Sequence, residues 1–135
     1  MKKCILILLS VTILVGCQSQ PVAGETVAIA GGSYQNITPN ELKAMLKDKD
    51  FTFINVHIPF AGNIAGTDLS ISYDQIGQNL SQLPPDKNAK IVLYCRSGRM
   101  SAIAAETLVN LGYTNIWNLK GGMDAWERAG YPLER

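Results

Sequence analysis

The 135-residue chain predicts an α/β domain, a central parallel sheet flanked by helices on both faces. Three observations carry that expectation. From Tyr34 onward, short strand-like apolar runs alternate with helical patterns. Strands separated by helices need crossover connections, and these give a parallel sheet covered on both sides. Met100, Ile103, Ala104, Thr107, Leu108 and Leu111 recur at helical spacing, the mark of a helix with one buried face. Just before them, Ile91 to Tyr94 is short and apolar throughout, as suits a strand buried on both faces.

In chain order, the first segment stands apart from this domain. Met1-Lys2-Lys3 is a basic start, and Cys4 to Val15 is apolar apart from Ser10 and Thr12. That run is shorter than the roughly 20 residues of a spanning helix and reads as a secretory signal. Leu14-Val15-Gly16-Cys17 resembles the lipobox of bacterial lipoproteins, in which cleavage precedes a cysteine that is then lipidated. The resemblance implies a signal peptide over 1–16, lipidation of Cys17 and a membrane partner reached through the lipid. An ordinary signal peptide, or an uncleaved anchor too short to span well, is the alternative. One acyl chain contributes only about 0.8 kcal/mol per buried CH₂, so a stable anchor needs two or three chains. The expected location is extracytoplasmic and lipid-anchored. Gln18, in place of the Asp that favours inner-membrane retention, points to the outer membrane if the cell has two.

Residues 17–35 read as a tether rich in Gln, Ser, Pro and Gly, within which Val27-Ala28-Ile29-Ala30 is either a short strand or linker. The folded domain is expected over 36–135. Thr38-Pro39-Asn40-Glu41 fits a capping box with proline at the first helical position. Leu42, Met45 and Leu46 supply that helix's apolar stripe. Phe51 to His57 is a buried-strand candidate, and residues 58–71 read as an irregular loop. Ser72 to Leu83 is expected to be helical with Ile76, Leu80 and Leu83 inward, stopped by Pro84-Pro85. Gly112 closes the helix that follows Cys95. Asn115 to Leu119 is a further strand ended by Gly121-Gly122, and Asp124 to Ala129 a short last helix. Trp117 and Trp126 are expected in the core.

Without residues 1–16, 119 residues remain, enough for one compact domain and one core. Lys2 and Lys3 are the only charges in that leader, so the formal net charge moves from +1 to −1. Such a body offers no electrostatic footprint for nucleic acid. Of three cysteines, Cys4 leaves with the signal and Cys17 is expected to be capped, which leaves Cys95 as the lone thiol of the domain. A lone thiol in an oxidising compartment suggests intermolecular pairing or a reactive role.

Cys95 sits where a strand gives way to a glycine-containing turn and then a helix: Tyr94-Cys95-Arg96-Ser97-Gly98-Arg99-Met100-Ser101. A turn of this kind aims several backbone N–H groups at one point, and the new helix adds the positive end of its dipole. An anionic sulfur finds donors and positive potential there, which favours thiolate over thiol. Arg96 and Arg99 would draw an anionic substrate. Cys95 reads as a nucleophile, against the plainer possibility of a buried structural cysteine at a strand end.

The order Asn55-Val56-His57, Gly66-Thr67-Asp68, Cys95 to Ser101, Leu119-Lys120-Gly121-Gly122-Met123-Asp124-Ala125-Trp126 and Ala129-Gly130-Tyr131-Pro132 resembles a single-domain rhodanese over roughly Tyr34 to Arg135. That resemblance implies a sulfurtransferase in which Cys95 carries sulfane sulfur as a persulfide. It further implies that Arg96, Ser97, Gly98, Arg99 and Met100 form the substrate-binding loop, with Ser101 opening the helix beneath. The implied partners are thiosulfate or a low-molecular-weight persulfide as donor, a thiol or cyanide as acceptor, and a possible protein acceptor. No metal or organic cofactor is required. The family's frequent Asp-Val-Arg is Asn55-Val56-His57 here, Phe60 to Thr67 departs from the usual following loop, and Met100 replaces a frequent arginine. One cation fewer would favour a smaller or less charged donor. His57, the only histidine, reads as a structural residue rather than a base or pH sensor.

Two rival classes fit the same architecture less well. Cysteine-dependent phosphatases and arsenate reductases need an arginine six positions beyond the cysteine to grip phosphate oxygens, and Ser101 stands there. The other is a non-catalytic, envelope-tethered persulfide carrier or protein-binding module.

Overall fold

The computed structural model describes Gly16 and residues 21–135. The leader's residues 1–15 and the lipidation candidate Cys17 lie outside the described residues. Strand β1 (Glu25–Ile29) turns through Ala30-Gly31 into β2 (Gly32–Ile37), and α1 (Pro39–Leu46) follows. Then come β3 (Thr52–Asn55), β4 (Leu69–Ser70), β5 (Ile91–Tyr94), α2 (Arg99–Asn110), β6 (Ile116–Leu119) and α3 (Gly122–Arg128). The sheet order is β1-β2-β6-β5-β3-β4. Every neighbouring pair is parallel except the β1–β2 hairpin.

Alternation along the central strands sorts the core into two layers. From β5 and the residue after it, Ile91, Leu93 and Cys95 join Ile54, Ala104 and Leu108 on the α2 side. Val92 and Tyr94 join Phe53, Leu42 and Trp126 on the side of α1 and α3. Helices therefore cover both faces of a mostly parallel sheet, the architecture the alternating pattern predicts. The cap of α1 is as expected: Thr38 Oγ1 accepts from Glu41 N at 3.2 Å, and the Glu41 carboxylate accepts from Thr38 N at 2.8 Å.

The structure differs from the sequence reading at several places, among them β4, a two-residue strand paired beside β3 within the segment expected as an irregular loop. The stretch expected as the last part of the tether is the β1–β2 hairpin; Val27 and Ile29 pack against the α2-side core, which also buries Tyr34. Apolar residues at alternate positions outweighed a polar, glycine-rich context. Residues 72–83 form two single 3₁₀ turns, Ile76–Gln78 and Leu80–Gln82, rather than one helix. Gly77, Asn79 and Ser81 weaken a longer helix, yet Ile76 and Leu83 still point inward. In α2 the buried line runs through Ser101, Ala104, Ala105, Leu108 and Val109, while Ile103 and Leu111 stand about two-fifths exposed. The small alanines let the helix approach the sheet, which rotates the larger residues to its flanks. Trp126 is buried as expected, with Nε1 donating to Pro132 O at 3.0 Å. Trp117 is only half-buried.

Candidate active site

Cys95 follows the last residue of β5, at the carboxyl edge where open parallel sheets place their sites. Strand alternation turns its side chain toward α2, where only 1% of the residue is exposed. Its Sγ accepts two hydrogen bonds, from Gly98 N at 3.0 Å and from Ser101 Oγ at 3.3 Å. Gly98 caps α2 with φ +96°, the left-handed region that glycine enters without a Cβ penalty. The first amide to enter the helix ladder is Ala102's, which donates to Gly98 O at 3.1 Å. The amides of Arg99, Met100 and Ser101 precede it and have no carbonyl partner within the helix. Those unpaired donors and the helix dipole make the mouth of the loop favourable to anions.

A second helix end holds this loop from outside. At the start of α3, Met123 N donates to Cys95 O and Asp124 N to Arg96 O, both at 2.9 Å. Gly122 lies so close that an added Cβ would stand 2.4 Å from Cys95 O and 2.6 Å from Arg96 O, and its φ is +56°. No side chain fits there. The Leu119 to Trp126 segment is thus the clamp on the cysteine loop: Gly122 is demanded by backbone-to-backbone contact, and Gly121, at φ +78°, has the Ala125 Cβ where its own would stand.

The expected substrate-binding residues divide. Gly98 and Ser101 contact Sγ directly. Arg96, Ser97 and Arg99 are exposed at the surface of the loop. Arg96 Nε lies 3.5 Å from the Asp124 carboxylate, a solvated pairing that contributes little to stability. Among the described residues Arg99 makes no ion pair. Met100 is half-buried and packs against the α2-side core, so its side chain serves the fold more than the site. A cavity of about 80 Å³ opens beside the loop, lined by Arg96, Asp124, Glu127 and Arg135 over Ala61 and Met123. Its charges pair off, since Arg135 Nη2 also meets the Glu127 carboxylate at 2.7 Å.

The loop after β3 forms the neighbouring wall, and it is held by Asn55 at the end of β3 and Tyr94 at the end of β5, whose hydrogen bonds the sequence did not reveal. Asn55 is buried and fully engaged: Nδ2 donates to Gly62 O and Asn63 Oδ1, both at 2.9 Å, and Oδ1 accepts from His57 N at 3.0 Å. The Tyr94 hydroxyl, in the residue before the nucleophile, accepts from Ile64 N at 3.0 Å and meets Thr67 Oγ1 at 2.7 Å and Asn63 Oδ1 at 3.2 Å. Burial pushes the Tyr94 phenol above its ordinary range, with the Thr67 hydrogen bond opposing. It stays a neutral donor and acceptor. An aromatic residue in a buried strand signals only core; its hydroxyl partners, 27 to 31 residues away, leave no local pattern.

His57 is half-buried at the end of this wall, and its imidazole is held below its usual range by burial and then by the Arg96 guanidinium, with Asp124 acting the other way. The neutral ring is therefore favoured near neutral pH. Among the described residues no group of three or more His, Cys, Asp or Glu side chains is arranged to hold a metal.

Comparison with known proteins agrees with this geometry. Residues 38–129 match the description "Rhodanese-like domain". The chain is 32% identical over 100 residues to a protein of Allochromatium vinosum named "Sulfurtransferase", covering 72% of this chain and 92% of that one. It is 26% identical over 103 residues to "Thiosulfate sulfurtransferase GlpE" of Vibrio cholerae, covering 75% and 95%. Among solved structures, a rhodanese-related protein from Thermoplasma volcanium superposes with a TM-score of 0.63 at 30% identity, over 74% of this chain and 97% of that one. With the cysteine loop, its glycine clamp and the mostly parallel sheet beneath them, the chain belongs to the rhodanese-like family, whose matched relatives include proteins named sulfurtransferases.

Proposed function

We propose that this protein moves sulfane sulfur from thiosulfate or a persulfide donor to a thiol or cyanide acceptor through a persulfide on Cys95. In loading, the Cys95 thiolate attacks the outer sulfur of thiosulfate. A new S–S bond forms, the old one breaks with its electron pair, and sulfite leaves. In discharge the acceptor attacks the outer sulfur of the persulfide, and the Cys95 thiolate leaves with the electron pair of that S–S bond. With cyanide the product is thiocyanate. The observation that carries this reading is the pair of donors, Gly98 N–H and Ser101 O–H, directed at a sulfur with no disulfide partner among the described residues. Donors placed where negative charge resides stabilise it without reorganisation. The first amides of α2 and the exposed Arg96 and Arg99 offset the repulsion between a thiolate and a dianion.

One further observation supports a protein as an acceptor. Ile58 and Phe60, 41% and 65% exposed, stand on the loop after β3 beside the strand end that carries the site. We place the protein outside the cytoplasm, held by lipid on Cys17. The lipobox-like segment supports that placement, and partition into a detergent phase, lost in Cys17→Ser, checks it. The activity itself is tested by steady-state thiocyanate release from thiosulfate and cyanide. The full chain should turn over, and Cys95→Ser should fall to the background rate. Turnover retained in Cys95→Ser would reject the assignment.

A further inference from the structure

Among the described residues Ser101 is the one side chain that hydrogen-bonds the reacting sulfur. It is completely buried, and its single hydroxyl hydrogen has two acceptors within reach, Gly98 O at 3.2 Å and Cys95 Sγ at 3.3 Å. Those acceptors do not compete on constant terms. In the thiolate the negative charge sits on Sγ. In the persulfide it sits on the outer sulfur, and Sγ becomes a weak acceptor of the thioether kind. Gly98 O is not stranded when the hydroxyl turns away, because Ala102 N also donates to it at 3.1 Å.

We propose that Ser101 is a catalytic residue of the discharge half-reaction, its hydroxyl turning from Gly98 O to Sγ as the Cys95 thiolate departs. The proposal rests on the sulfur-carrier reading above. During discharge the acceptor bonds to the outer sulfur, the S–S bond breaks, and its electron pair returns to Sγ. Charge therefore grows at the atom that Ser101 faces, and an interaction that strengthens toward the transition state accelerates that step. Loading runs the other way: charge leaves Sγ, so the same hydrogen bond weakens and gives no assistance. The burial of both groups keeps water from replacing the hydroxyl. The device is thus directional, favouring release of sulfur over its retention.

The test separates the two half-reactions in the full-length chain. Loading with thiosulfate and discharge of the loaded protein with cyanide are followed by rapid quenching and intact mass, each at a pH where the rate no longer depends on pH. In Ser101→Ala the ratio of discharge to loading rate constants should fall about tenfold or more, the size of one hydrogen bond to a charged group. Loaded protein should also accumulate during turnover. Ser101→Cys, of similar shape with a weak S–H donor, should fall between the two, and it carries the comparison if the alanine variant does not fold. Equal slowing of both half-reactions, as general loosening of the loop would cause, overturns the proposal, as does an unchanged discharge rate. A wild-type chain that takes up no sulfur removes the underlying reading as well, whereas normal loading and discharge with an unshifted ratio overturns the role of Ser101 alone.

Discussion

Two loops lie side by side at the carboxyl edge of the sheet, and they are held by different chemistry. The loop after β5 is fixed through its backbone: Gly98 N–H on Sγ, and the first amides of α3 on the carbonyls of Cys95 and Arg96. The loop after β3 adds a side-chain network to its backbone bridge between Asn63 and Glu134: Asn55, Asn63, Thr67 and the Tyr94 hydroxyl bond one another and nearby main chain. Backbone fixation demands particular φ values and close approaches, so glycine is the residue that serves. Side-chain fixation can exchange one polar set for another if every donor still finds an acceptor. The polar network of the second loop should therefore accept more exchange than the glycine contacts, which stand at Gly122 beside the first loop and at Gly62 in the second.

Breaking the backbone-held loop should have the larger effect. Gly122→Ala places a methyl group against the carbonyls of Cys95 and Arg96 at a positive φ, so the clamp must open. A stability loss of about 3 kcal/mol is expected in denaturant titration. Thiocyanate production should fall more than stability accounts for, because the loop that aims Gly98 at the sulfur is displaced. An alanine variant with wild-type turnover would show that α3 does not hold the site.

The side-chain-held loop should respond more mildly, and in a manner that sharpens the contrast. Asn55→Asp restores the acid frequent in the family yet removes both donors to Gly62 O and Asn63 Oδ1, and it sets a carboxylate against a carbonyl in a buried position. A loss of about 2 kcal/mol is expected at neutral pH. Sulfur loading of the folded protein should be reduced only modestly. Equal or greater stability of the Asp variant would mean that the asparagine network does not hold this wall.

The same contrast explains what could be read from the chain. The Cys95 loop and the Gly121-Gly122 pair were visible because glycine at fixed spacing marks a positive φ or a close approach, although nothing in the sequence said that Gly122 packs against the Cys95 and Arg96 carbonyls. Asn55 looked like a departure, since its compensating partners Gly62 and Asn63 come from a segment that matched no pattern. The Tyr94 hydroxyl was invisible for a similar reason: a tyrosine in an apolar strand has the periodicity of core, and its partners are remote. The alternation of strands and helices predicted the parallel sheet, while the β1–β2 hairpin was obscured by polar and glycine-rich neighbours. The helix expected over 72–83 failed because apolar spacing alone cannot say whether glycine and asparagine will break a helix into separate turns.

The central claim is that Cys95 holds transferable sulfur, and the mass of the intact protein tests it most directly. After incubation of the full chain with thiosulfate and removal of excess reagent, the account predicts a gain of one sulfur atom. Peptide mapping should place it on Cys95, and cyanide should remove it stoichiometrically as thiocyanate. An unchanged mass, or a sulfur gain of the same size in Cys95→Ser, would contradict it.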